Sequence, residues 1–171
     1  MKKLSLILFS LSTLLILPEL SISGEKIISG KAQVIDGDTI KINDKKIRFG
    51  GIDAPESYFM GKKQTCIEDN KKVFCGQISK DKLIEKIGNN SVNCKIEKNK
   101  DYWKRTVAEC FINDEGLSSF MVINGYACDY VKYSKKKYAK EQEYAKTNSL
   151  SINFYCIPIY DYCSSFSNIF L

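Results

Sequence analysis

The sequence predicts an α+β fold, a five-stranded Greek-key β-barrel with about three helices, and three observations carry that reading. Apolar residues alternate through three short runs that end at Phe49, a helically spaced stretch follows, and two more alternating runs precede the remaining helices. Strand, strand, strand, helix, strand, strand and then helices is the order of a barrel of the OB type with appended helices.

The first strand runs from Lys26, with Ile28, Ala32 and Val34 on one side, to the turn-prone Asp36–Gly37. Ile40 and Ile42 mark the second strand, and the polar turn from Asn43 to Lys45 leads to a third with Ile47 and Phe49. Gly50–Gly51 closes this meander. Residues 57–75 are polar, carry Cys66 and Cys75, and read as a loop closed on itself. Ile78, Leu83, Ile84 and Ile87 keep helical spacing up to Gly88, which stands where a C-cap glycine belongs. SVNCKIEK and RTVAECFI form an antiparallel hairpin about NKDYWK. A turn centred near Tyr102 sets Cys94 opposite Cys110, so a cross-strand disulfide is expected there and a second between Cys66 and Cys75. Leu117, Phe120 and Met121 open a second helix that Gly125 stops. Ser134 is placed to cap a third, SKKKYAKEQEYAKTN, with Tyr138 and Ala145 on one face and lysines around the rest as a solvated surface.

The ends read differently. Lys2 and Lys3, the apolar run LSLILFSLSTLLIL, and Ser21 and Ser23 before Gly24 predict a signal peptide over 1–23. The run is shorter than the roughly 20 residues a membrane span needs. One domain over 24–148 and a divergent tail over 149–171 are expected, in a protein that is secreted or periplasmic. After removal of the leader no stable membrane association and no obligate protein partner are expected. An exported chain meets an oxidising compartment, and its 7 cysteines include no CxxC pair, so disulfides are expected rather than a zinc site. The odd count leaves at least one thiol unpaired within the monomer.

The net charge of +6 is mild, a weak pointer to acidic partners. The chain has 0 histidines, which excludes serine–histidine and cysteine–histidine catalysis and every histidine general base. Chemistry must then run on carboxylates, arginine, lysine, tyrosine or a metal. Asp36 and Asp38 flank the first turn, Asp53 and Glu56 follow the third strand, and in a twisted barrel the two places converge. Carboxylates brought together repel unless a cation lies between them, and oxygen ligands without histidine suit a hard ion, Ca²⁺ or Mg²⁺. Arg48 and Arg105 carry guanidinium groups that grip phosphate with paired hydrogen bonds. Taken singly these residues have ordinary readings: Asp-Gly makes hairpins, and Arg48 paired with Asp44 would be a surface ion pair.

Together, VIDGDTI (34–40), IRFGGIDAPE (47–56), DYWKRTVAECFI (101–112), NGYACDYVKYS (124–134) and the EQEYAK helix resemble the staphylococcal nuclease family, the thermonucleases, in order and spacing. The resemblance covers roughly residues 26–146. It implies that Asp38 and Asp53 bind calcium, that Glu56 activates or orients the attacking water, and that Arg48 and Arg105 bind phosphate. It also implies nucleotide contacts by Tyr130 and Tyr133, with Trp103 among the aromatic residues on which bases stack. The implied activity is calcium-dependent hydrolysis of single- and double-stranded DNA and of RNA, with little base specificity, leaving 3′-phosphates. In the family the loop before the second arginine usually resembles DRYGR. Here it is DYWKR, with Lys104 in place of the glycine, which bears on the positioning of Arg105. That departure and the divergent tail keep a second reading in view, a non-catalytic OB module that binds nucleic acid, and a third is a structural domain that calcium stabilises.

Overall fold

The alternating runs build one mixed sheet. The computed structural model describes residues 25–58, 60–68, 71–98, 101 and 103–148. The expected leader, the tail with Cys156 and Cys163, and Tyr102 lie outside them. The sheet order is β1 (Ile27–Gly30), β8 (Val92–Ile96), β9 (Thr106–Ile112), β4 (Lys45–Phe49), β3 (Thr39–Ile42) and β2 (Gln33–Asp36), with β10 (Glu115–Gly116) on β9. The strand expected from Lys26 to Asp36 is thus two strands, broken at residues 31–32 so that one half pairs with β8 and the other with β3. That bend returns the sheet on itself and makes a five-stranded barrel, with β4 and β9 its parallel pair.

Two-residue turns fix the register. Ile42 lies opposite Lys45 across Asn43–Asp44, both left-handed at φ 47° and 63°. Asn113–Asp114 repeats the arrangement at φ 47° and 66° between β9 and β10. These are the backbone angles a twisted hairpin needs, and asparagine and aspartate tolerate them. Cys94 stands opposite Cys110, and the two form the expected disulfide.

The helices cap the barrel. α1 (Cys75–Ile87) and α2 (Leu117–Ile123) bury Leu83, Ile87 and Met121 against Ile40, Ile47 and Phe49. Each such side chain contributes about 1.5–3 kcal/mol by leaving water. Gly88 closes α1, its N–H donating to the Ile84 carbonyl. The loop of residues 57–75 contains a small ribbon, β6 (Cys66–Glu68) and β7 (Lys71–Val73), closed by the Cys66–Cys75 disulfide. Cys128 is also disulfide-bonded, so the odd thiol expected from the count is not among the described cysteines.

The third helix departs from expectation. Ser134 does not cap it; the residue ends the single turn α3 (Val131–Ser134), and α4 spans Ala139–Thr147. Lys135 and Lys136 take left-handed angles of 54° and 69° and interrupt the helix. The interruption turns Tyr138 inward beside Gly51, where it is 2% exposed. Ala145 is buried on the same face as expected, and the lysines of the segment stay at the surface. Among the described residues no helix is long and apolar enough to cross a membrane.

Candidate active site

Barrel closure brings the β2–β3 turn against β5 (Ile52–Asp53) and the segment after it. Asp38, 2% exposed, accepts hydrogen bonds from Thr39 Oγ1 (2.7 Å) and from the Ala54 N–H (3.1 Å). Arg48 projects from β4 between the two segments. Its Nη1 lies 2.7 Å from Asp38 Oδ2 and its Nη2 2.5 Å from Asp53 Oδ1. The surface pairing of Arg48 with Asp44 does not occur, since Asp44 binds Lys41 at 2.8 Å. A cation does stand between Asp38 and Asp53, and in this structure it is the Arg48 guanidinium.

Glu56 is held by its backbone. Its N–H donates to Gln64 Oε1 at 2.8 Å, and the next residue, Ser57, donates both its N–H and its hydroxyl to Asp36 Oδ1. On the far side α1 presents Gly76, where a Cβ would lie 1.9 Å from the Glu56 carbonyl oxygen. A second close approach seats the acidic turn: a Cβ on Gly37 would lie 1.9 Å from Ser79 Oγ. At 76, against backbone atoms, only glycine fits, whereas at 37 a larger residue would require the Ser79 side chain to move.

Negative charge is in excess. Burial, and then the Asp38 carboxylate, push Asp53 up to about 6, against the pull of Arg48 and Arg105. Burial, and then Asp38 and Asp36, push Glu56 up to about 7. Arg48 is raised as well: burial opposes its charge, but Asp38 and Asp53 outweigh that cost. Oxygen donors carrying uncompensated charge fit a hard divalent cation such as Ca²⁺. Among the described residues no three acidic or sulfur side chains stand close enough to hold an ion by themselves. Asp38 and Asp53, joined through Arg48, are the side chains that would hold one.

Arg105 enters from the other side. The parallel register of β4 and β9 sets Ile47 opposite Thr106 and so places Arg105 beside the strand that carries Arg48. Asp101 takes hydrogen bonds from both the Arg105 N–H (2.7 Å) and Nε, and Arg105 is close enough to Asp53 to lower its pKa. Lys104 adopts φ 58°, a left-handed angle that costs a residue with a side chain about 1 kcal/mol or more. Lys104→Gly should therefore raise the melting temperature by about 2–4 °C, read by calorimetry. An unchanged or lower value would contradict the strain.

Trp103 stands two residues before Arg105 and is 64% exposed. Tyr130 and Tyr133 meet edge to face with centroids 4.8 Å apart, and the Tyr130 N–H donates to the Gly51 carbonyl at the turn leading into β5. Opposite Asp53, β11 (Cys128–Asp129) completes that edge. Sequence reasoning missed Asp101, Gln64 and Gly76. The first lay within a recognised motif, whereas nothing in the local sequence marks the other two.

Two comparisons with known proteins bear on this arrangement. A family profile described as "Staphylococcal nuclease homologue" matches residues 46–152. The chain is similar to the "Succinoglycan biosynthesis protein ExoI" of Rhizobium meliloti (strain 1021), 30% identical over 128 residues. That match takes in 73% of this chain and 64% of the relative's length.

Proposed function

Because this chain belongs to the staphylococcal nuclease family, we propose that it is an exported, calcium-dependent nuclease that hydrolyses DNA and RNA with little base specificity and leaves 3′-phosphates. The observation that carries the reading is the joining of Asp38, Arg48 and Asp53 into one buried unit, with Glu56 strapped beside it and Arg105 facing it. Asp38 and Asp53 would hold the cation, which when bound supplies positive charge that polarises a phosphoryl oxygen.

The chain's own groups do the rest. Glu56, near pH 7 in its proton affinity, is poised to take a proton from water at neutral pH. Arg105 has its Nε fixed by Asp101 and presents its terminal nitrogens to the negative charge that builds on the phosphoryl oxygens. Arg48 neutralises the carboxylates and offers its remaining hydrogen-bonding capacity to the same oxygens. Trp103, Tyr130 and Tyr133 offer ring faces on which bases stack without being read.

End-group analysis of cleaved single-stranded DNA and RNA tests the proposal. It expects 3′-phosphate ends from both substrates. Ends carrying 5′-phosphate, or intact strands after incubation with calcium, would overturn it.

The raised carboxylates also set a pH dependence. Between the ordinary value of Glu56, 4.5, and about 7, the folded state binds more protons than the unfolded one. Metal-free stability contributed by this group therefore falls as pH rises through that window. Glu56→Gln removes the titration, so in chelator the variant's melting temperature relative to wild type should climb from about pH 5 to about pH 8. A difference that stays flat would contradict the environment described for Glu56.

A further inference from the structure

The ribbon of β6 and β7 is not explained by barrel stability. Its inward face is small: Cys66 and Val73 pack with Cys75 and Ile78. By strand alternation Ile67, Lys72 and Phe74 take the opposite face. Phe74 is 53% exposed there, with Lys63 Nζ 5.4 Å from its ring centroid. From Gly61 to Phe74 the sequence carries Lys62, Lys63, Lys71 and Lys72 against Glu68 and Asp69. All four lysines are exposed, and none has an ion-pair partner among the described residues. Exposed Tyr58 and Met60 lie on the approach from Glu56.

Both ends of the ribbon meet residue 56. Gln64 accepts the Glu56 N–H, and Gly76, directly after Cys75, packs on the Glu56 carbonyl. The Cys66–Cys75 disulfide holds the ribbon in shape, which lowers the ordering cost of binding. An exposed ring flanked by unpaired lysines matches the chemistry of single-stranded nucleic acid, a π-face for a base and cations for the phosphates on either side.

We propose that this ribbon is a docking subsite for single-stranded nucleic acid, with a base stacked on Phe74 and adjoining phosphates held by Lys63 and Lys72. The proposal rests on the nuclease reading and adds where the strand lies beyond the scissile phosphate.

The test is equilibrium binding of a labelled oligothymidylate of about ten nucleotides, read by fluorescence anisotropy over a salt series. The parent is the full chain carrying Glu56→Gln. Lys63→Glu with Lys72→Glu should weaken binding about tenfold or more and reduce the salt slope by about 1.4, two phosphate contacts on a single strand. Phe74→Ala should weaken it about fivefold or more with little change in slope. Lys45→Glu with Lys46→Glu, on the exposed start of β4, makes the same change in charge and should cost less than about threefold. Far-UV circular dichroism checks that each variant folds. Ribbon variants that bind as tightly as the parent would overturn the proposal, as would a control weakened equally or a parent that binds no strand. Failure of the wild-type chain to cut DNA would instead count against the nuclease reading and leave the binding comparison in force.

Discussion

Glu56→Gln should leave a folded protein that cleaves single-stranded DNA about 10²–10⁴-fold more slowly than wild type, the range a positioned general base supplies. Three backbone restraints hold the Glu56 segment: the Gln64 hydrogen bond, the Asp36–Ser57 clamp and the glycine contact with α1. None of them uses the Glu56 carboxylate, so the amide is accommodated without moving the loop. Removing one of the clustered negative charges should also raise metal-free stability at neutral pH, because the wild-type carboxylate is pushed up by burial, Asp38 and Asp36. The combined outcome is a variant at least as stable as wild type and nearly inactive. A variant that cuts at the wild-type rate would remove Glu56 from the chemistry.

Arg48→Met should have the second large effect, on stability and activity together. The Arg48 side chain is 13% exposed and binds Asp38 and Asp53 at once. Methionine fills much of the space but leaves two carboxylates facing each other without a cation, and breaking a buried ion pair in this way costs about 3–5 kcal/mol. Denaturation in urea with chelator present should show that loss, and calcium should recover part of it by supplying the missing positive charge. Cleavage should remain low even where calcium restores the fold. If Arg48→Met unfolds at the wild-type urea concentration in chelator, the guanidinium is not what holds the acidic unit together.

Much of the barrel was legible because its strands alternate cleanly and its turns carry asparagine, aspartate and glycine. The Cys94–Cys110 pairing followed from hairpin symmetry alone. The break at residues 31–32 was not legible, since both halves keep the same alternation and only the choice of partner strand separates them. Nor was the late start of α4: lysine is a good helix former, and nothing in the local sequence marks the left-handed angles of Lys135 and Lys136 that interrupt the helix.

At the site, the approach of the Asp36–Asp38 turn to residues 53–56 could be anticipated from strand order. The occupant of the space between Asp38 and Asp53 could not. Sequence spacing relates Arg48 to Asp53 through five residues, but its contact with Asp38 spans the β3–β4 pairing and depends on the twist of the sheet. Gly76 was equally silent, because its role is defined by the backbone it touches across the fold. The departure at Lys104 leaves Arg105 held in place, with Lys104 itself in a left-handed turn and Asp101 gripping the guanidinium.

We propose that the buried unit around Arg48 is a working, metal-dependent hydrolytic site. The initial rate of single-stranded DNA cleavage by the purified chain, disulfides formed, in calcium, in magnesium and in excess chelator tests it most directly. Rapid cutting in calcium that chelator abolishes is the predicted result. Equal cutting in chelator, or no cutting by a folded protein that binds calcium, would contradict it.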